Sequence, residues 1–316
     1  MAKRLAGRKI LRLSSAPDAD AAYPRGFWHA LGAPGVAWFA LWVLVPAYTI
    51  VAVSMGYVSD SMLPVPEWDP RYWNLETLSA VVREMAPGGI FAKVLMNTVT
   101  YVLGALVLCV LIGYPVAYYI AKQAGRWKVL LIVLLTIPFW TSYLMRMLAW
   151  IGLLSTDGYT NRLLMSIGIL DEPYGWLEGH SFVVVISLAY GYLPYFILPL
   201  LASLDRIDDR LIDAGKDLGL SSVQTFIRVI LPLSKAPLIA ASTVAILPMC
   251  GDFYTTNLMS GSPATAMIGN QIQVLAQGGP QQNVGASLAL LLQLALILLL
   301  SYYLYSSSKA TKAVAA

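Results

Sequence analysis

The chain has 316 residues, 58% of them hydrophobic and only 12% charged, with a formal net charge of +4 and a mean hydropathy of +0.67. A soluble domain carries ~25% charged residues, so the composition excludes an ordinary soluble enzyme and predicts an all-α polytopic membrane protein with no nucleic-acid partner. Cys109 and Cys250 each sit inside an apolar run, a placement that fits neither a metal site nor a disulfide framework. His29 and His180 flank apolar runs, where interfacial roles are plainer than catalytic ones.

Residues 1–34 read as a basic and polar N-terminal tail. Its opening, MAKRLAGRKILRL, mixes basic and apolar positions; a short helix on an anionic leaflet and a disordered cytoplasmic tail both account for it. A signal peptide would need an adjoining apolar core and a small-residue cleavage site, which this stretch lacks. Apolar runs follow near 35–55, 93–120, 128–152, 181–203, 236–258 and 284–305. Each is long enough for a hydrocarbon layer that takes ~20 helical residues to cross, which predicts six transmembrane helices. The organisation is then a first helix with its outer segment at 35–92, a membrane core at 93–308, and a C-terminal tail at 309–316. Pro46, Pro115, Pro138, Pro194 and Pro248 fall inside runs and predict kinked or broken spans beside a pathway.

Lys and Arg set the orientation. With the N-terminus inside, the inner segments hold sixteen of them, and the outer segments hold four, Arg71, Arg83, Lys93 and Arg162. That asymmetry places both termini and the segment 211–236 in the cytoplasm. In the outer segment, Pro64, Pro66, Trp68, Tyr72 and Trp73 fit interfacial anchoring, or a docking surface for an external protein.

The segment 211–236, LIDAGKDLGLSSVQTFIRVILPLSKA, is charged and amphipathic between two apolar runs. Leu211, Ala214, Leu218 and Val223 fall near one helical face, with Asp213, Lys216, Asp217 and Gln224 elsewhere. Gly219 is placed to end a first short helix, and Pro232 to mark re-entry toward the bilayer. Asp213-Ala214-Gly215, Gly219 and Val229-Ile230-Leu231-Pro232 resemble the EAA loop of ABC-importer permeases, E-A-A-x(3)-G-x(9)-I-x-L-P. The spacing matches throughout, and Asp213, Gly215 and Val229 are the departures. The resemblance implies the type I (MetI-like) permease architecture, and a coupling helix that docks into a groove of a cytoplasmic ATPase. On that pattern Asp213, Ala214, Gly215, Lys216, Asp217, Gly219 and Pro232 are the coupling residues.

Further stretches, Ile137-Pro138-Phe139-Trp140-Thr141, Leu154-Ser155-Thr156-Asp157-Gly158-Tyr159-Thr160-Asn161 and LPMCGDFYTTNLMSG at 247–261, resemble the first permease subunit of spermidine/putrescine importers. The likeness runs over roughly residues 93–305. It implies polyamine import across a bacterial inner membrane by alternating access. It also implies a second permease subunit, two cytoplasmic ATPase subunits that bind ATP and Mg, and an external binding protein. The chain itself has no P-loop and no catalytic or metal-binding motif, so no enzyme activity and no cofactor of its own are expected.

Asp252 is the acidic residue inside a predicted span, after Pro248 and Gly251 and before Phe253 and Tyr254. An intramembrane carboxylate faces a cavity or a partner, and a polycation needs carboxylates and aromatic faces. Asp252, Phe253, Tyr254, Trp140 and Tyr143 supply those groups. Arg146 lies at a similar predicted depth, so an Asp252–Arg146 ion pair competes with substrate contact. Asn97, Thr98 and Asn257 either line the path or hold helices together. The Tyr190, Tyr192 and Tyr195 stripe reads as helix packing, and Gln271, Gln273 and Gln277 as part of a re-entrant or gate segment. Other cargoes, such as an opine, an amino-acid derivative or an anion, remain open, as does an ion-coupled secondary transporter.

Overall fold

A computed structural model describes residues 25–315, and the side chains of 29–305. The two readings of the tail at 1–24 lie outside the described residues. Helix α1 (Arg25–Ser54) begins ten residues before the predicted span. The stretch to Thr49 is one compact unit and the stretch from Ile50 another. Within the first, α1 turns Trp38, Phe39 and Trp42 outward, as a lipid-facing helix does.

In the second unit, strands β1 (Tyr57–Val58) and β2 (Pro64–Val65) pair antiparallel and lead to α2 (Glu76–Glu84). Helix α3 (Ala92–Lys122) follows, then α4 (Lys128–Thr136), α5 (Tyr143–Leu154), α6 (Tyr159–Ser166) and α7 (Ser181–Leu204). The chain continues through α8 (Asp209–Asp217), α9 (Ser222–Thr225), a π-helical turn (Phe226–Ile230), α10 (Leu231–Leu233) and α11 (Lys235–Cys250). It closes with α12 (Tyr254–Met259), α13 (Ile268–Ala276) and α14 (Gln282–Ala315). Among the described residues, four helices are long and apolar enough to cross a membrane unbroken, and two bent pairs raise the total to six.

The bends correct two predicted spans. The run 128–152 is not one helix: Gly125–Trp140 and Tyr143–Ser166 meet at 91°. Pro138 lies in a 3₁₀ turn over Ile137–Trp140, Thr141 is extended, and the Ser142 hydroxyl accepts from the Met145 N–H to start α5. The run 236–258 stops at Cys250, and a new helix starts at Tyr254. The prolines do not all fall at breaks. Pro46, Pro115 and Pro194 sit inside continuous helices, because a backbone freed of one hydrogen bond in apolar surroundings still finds its best partners in the helix. The last helix runs through the predicted C-terminal tail to Ala315.

The core is the packing of α3 and α7, with α11 laid against both. Ala105, Cys109 and Ala117 of α3 meet Val184, Leu188, Phe196, Ile197 and Leu200 of α7, all fully or almost fully buried, together with Ala241, Ala245 and Met249 of α11. Small residues permit this approach, and helices in lipid associate by such close contact. At Gly113 a methyl would lie 2.7 Å from Phe196 Cδ1 and 3.0 Å from Ile197 Cγ1.

The segment after α7 forms the predicted helical elbow. Gly219, at φ +84°, ends α8, with its own N–H donating to Lys216 O (2.8 Å) and that of Leu220 to Gly215 O (3.1 Å). A Ser221–Gln224 capping box starts α9. The elbow is fastened to α3: Lys122 donates to the Ile207 carbonyl and to Asp209 (2.7 Å), while Phe226 packs edge-on to Tyr114 and Tyr118. Pro232 lies in α10, just before Ser234, where the chain bends by 66° into α11. Gly215 is helical, and a methyl there would touch Thr225, Leu220 and Val229 at 3.4–3.6 Å, ordinary contact distances.

Two alanine substitutions should therefore have opposite signs. Gly113→Ala overpacks the α3–α7 contact and should destabilise by about 1–3 kcal/mol. Gly215→Ala should stabilise the elbow by up to about 1 kcal/mol through helix propensity. Thermal unfolding of the purified chain measures both, and a fall in melting temperature for Gly215→Ala would contradict the packing described.

Candidate functional site

Two breaks in the helices build one cavity. The first break supplies Phe139, Thr141 and Ser142, with Tyr143 and Arg146 from the start of α5. The second supplies Gly251, Asp252, Phe253 and Tyr254 after Pro248. Tyr192 and Tyr195, a helical turn apart on α7, close the wall of a cavity of about 430 Å³.

Asp252 is 5% exposed, and its carboxylate is held by three donors. The Thr255 N–H donates to Oδ1 (2.8 Å), and the Thr255 and Tyr192 hydroxyls donate to Oδ2 (2.9 and 2.8 Å). The Thr255 hydroxyl proton is thereby committed, so the Tyr143 hydroxyl donates to Thr255 Oγ1. A carboxylate offers about four acceptor positions, which leaves room for one more donor from the cavity. The local fold permits this because the chain leaves α11 at Gly251 and frees the N–H of Thr255 at the start of α12. Two glycines shape the surroundings. A methyl at Gly191 would lie 2.5 Å from Tyr143 Cε2, and one at Gly269 would lie 2.6 Å from the Gly251 carbonyl.

Arg146 is 9% exposed. Its Cζ lies 5.3 Å from the Tyr143 ring centroid and 5.6 Å from that of Phe139, and its Nε has no hydrogen-bond partner. None of the three ion pairs among the described residues includes it. Of the two readings of Asp252, the ion pair with Arg146 is therefore not formed; the two line one cavity and are held separately, Arg146 on ring faces and Asp252 by two hydroxyls and a backbone N–H.

Of the residues singled out from the sequence, Asp252, Phe253, Tyr254, Tyr143 and Arg146 converge here, whereas Trp140 is 83% exposed and lies outside the lining. Asn97 donates to the Ala264 and Ala266 carbonyls (2.9 and 3.1 Å), and Thr98 Oγ1 accepts from the Ile268 N–H (2.9 Å). Asn97 ties α3 to the segment before α13, and Thr98 ties it to the first residue of α13. Asn257 donates to Gln273 (2.7 Å) and accepts from Asn270, which joins α12 to α13. Tyr192, Tyr195 and Thr255 were missed as site residues. The available signal was that a tyrosine hydroxyl in mid-span needs a partner. Asn161, in the LSTDGYTN stretch, is buried and bonds to Thr156, Tyr174 and Trp176, which organises the loop that leads to α7.

On the elbow, Asp213 pairs with Lys216 at 3.4 Å and both are exposed. The inward face of α8 is formed by Ile212 and Gly215, so Leu211, Leu218 and Val223 project outward, at 48%, 85% and 67% exposure. The elbow thus presents an exposed apolar face flanked by charges.

Residues 30–309 match the family described as the binding-protein-dependent transport system inner membrane component. The chain belongs to that family. It is a multi-pass inner membrane protein and a transport permease subunit. It is 33% identical over 279 residues to the spermidine/putrescine transport system permease protein PotB of Escherichia coli (strain K12), covering 88% of this chain and 97% of that one. Identity to PotB of Haemophilus influenzae is also 33%, over 75% of this chain and 79% of that one. Among solved structures, a chain of a bacterial alginate ABC transporter in complex with its periplasmic protein superposes with a TM-score of 0.70 at 15% identity, covering 91% and 96% of the two chains. The MetI-like permease fold expected from the elbow is thus the fold observed.

Gly191→Ala should push the Tyr143 ring away from α7, part its hydroxyl from Thr255 and loosen Asp252. Transport should fall by roughly tenfold or more, as for loss of one buried hydrogen-bond partner, while the amount of chain in the membrane is unchanged. Uptake measured beside membrane abundance tests this, and full activity would show that Tyr143 does not organise the site.

Proposed function

We propose that this chain is a translocation subunit of an ATP-driven importer of polyamines, with Asp252 as the group that receives an ammonium of the cargo. The observation that carries the proposal is a membrane-buried carboxylate with one acceptor position left, in a cavity walled by tyrosines and phenylalanines. An alkylammonium needs an anion for charge-assisted hydrogen bonds and ring faces for its flanks. The curated relatives at 33% identity are named for spermidine and putrescine transport, and that supports the same cargo here. The fold alone does not choose a cargo, since an alginate transporter shares it.

In this proposal both termini and the elbow are cytoplasmic, as the excess of Lys and Arg on that side requires. The apolar face of Leu211, Leu218 and Val223 seats on a separate ATPase subunit, with Asp213, Lys216 and Asp217 at its rim. A second permease subunit, two ATPases that bind ATP and Mg, and an external binding protein complete the assembly in the bilayer. Closure of the ATPases on ATP draws the elbows together, and α11, which starts at the elbow and ends at Gly251, carries the movement to the cavity. Alternating access follows, and this chain hydrolyses nothing.

ATP hydrolysis by the reconstituted assembly with its binding protein, against spermidine, putrescine, amino acids and anions, tests the cargo. Stimulation by a polyamine should fall by about tenfold to a hundredfold in Asp252→Asn, the loss of a charged hydrogen-bond partner. Stimulation by an anion alone would sink the cargo assignment. Separately, Asp213→Lys should abolish coupled uptake and ATPase assembly while the chain still reaches the membrane. Retention of both would show that the elbow is not the docking element.

A further inference from the structure

Arg146 is the one base among the residues lining the cavity, and Asp252 the one acid. The two do not form an ion pair. Asp252 is tied down by Tyr192 and Thr255, and Arg146 lies on the faces of Tyr143 and Phe139 with its Nε unpartnered. Tyr143 serves both, its ring under the guanidinium and its hydroxyl on Thr255. A buried charge without a directly paired counter-ion is expensive, and its field is weakly screened in a membrane cavity.

We propose that Arg146 is a specificity-determining residue that limits how tightly the cavity holds a cation. This inference rests on the polyamine reading of the same site. A carboxylate with aromatic walls is by itself a trap for an extended polycation, and a transport site must bind strongly enough to admit its cargo yet weakly enough to release it. Arg146 reduces the attraction in two ways. Its charge opposes any ammonium that approaches Asp252. Its guanidinium also occupies the Phe139 and Tyr143 faces, so the cargo is left with the rings of Tyr192, Tyr195, Phe253 and Tyr254. Removing the charge should deepen ground-state binding and slow the passage that follows, since tighter binding of the resting complex does not lower the barrier to release.

The test uses the complete transporter, purified through this chain. Equilibrium binding of labelled spermidine is measured without the binding protein, so that the cavity alone is read, and the uptake rate is measured with it in proteoliposomes. Arg146→Gln should bind spermidine roughly tenfold more tightly, the effect of deleting a unit charge several ångströms away at intermediate dielectric. Its maximal uptake rate should fall. Arg146→Met, which keeps an unbranched stem between the rings, should behave the same way, and Arg146→Lys should restore wild-type binding and rate because it restores the charge. A purely structural arginine would lose binding and rate together in all three variants, and that result overturns the inference. Unchanged spermidine binding in both neutral variants, with wild-type uptake intact, overturns it as well and leaves the polyamine reading standing. If γ-aminobutyrate binds the wild type and depends on Arg146, the residue is an anchor for carboxylates, and the inference fails. A wild-type transporter that neither binds nor imports spermidine or putrescine removes the polyamine reading, and the inference with it.

Discussion

The constraint on which the rest of the structure depends is the burial of the Asp252 carboxylate within an apolar helical layer. A carboxylate there is tolerable only if donors surround it. Two donors, the backbone N–H and the hydroxyl of Thr255, become available because α11 ends at Gly251 and α12 begins, and the third is Tyr192 from α7. Tyr143 supports the arrangement from α5, and reaches it because Gly191 leaves space on α7 for its ring. The helix break is thus part of what stabilises the acid, and the acid in turn stabilises the break.

The frame that holds these parts is the α3–α7 contact, where small residues on α3 admit the large apolar side chains of α7. Its other end carries the elbow. Lys122 at the end of α3 grips the start of α8, and Phe226 wedges against Tyr114 and Tyr118. α11 then runs from the elbow to Gly251, ~24 Å at the rise of an α-helix. Cavity and elbow are therefore joined by one short helix, as the proposed coupling requires.

Much of this was legible in the residues. Apolar runs gave helices, the spacing from Asp213 to Pro232 gave the elbow, and Gly219 marked its turn because only a left-handed residue closes α8 there. Asp252 stood out because acids are rare in such runs. The bends were less legible. Five prolines suggested five interruptions, yet Pro46, Pro115 and Pro194 pass through continuous helices, and Pro138 alone lies in the turn of a 91° bend. A proline weakens a helix locally, but whether the chain breaks depends on what the freed groups meet, and that is set by neighbouring elements.

What the sequence by itself determined was whatever depends on one stretch at a time: the membrane class, the family pattern of the elbow, the turn at Gly219 and the presence of an acid after Gly251. Composition, period and local backbone preference suffice for those. What only the tertiary structure decided was which side chains face one another. Tyr192 and Tyr195 read as packing until α7 was seen against the break. Whether Arg146 pairs with Asp252 or lines the pathway stayed open in the sequence, and the rings of Phe139 and Tyr143 beside it decide against the pair. Leu211, Leu218 and Val223 read only as one apolar face until Gly215 proved to point inward and leave them uncovered. The tyrosine contacts join residues far apart in the chain, the elbow face depends on the opposite side of one helix, and the rings beside Arg146 lie on both sides of a bend; a one-dimensional pattern does not encode which neighbour satisfies a buried charge.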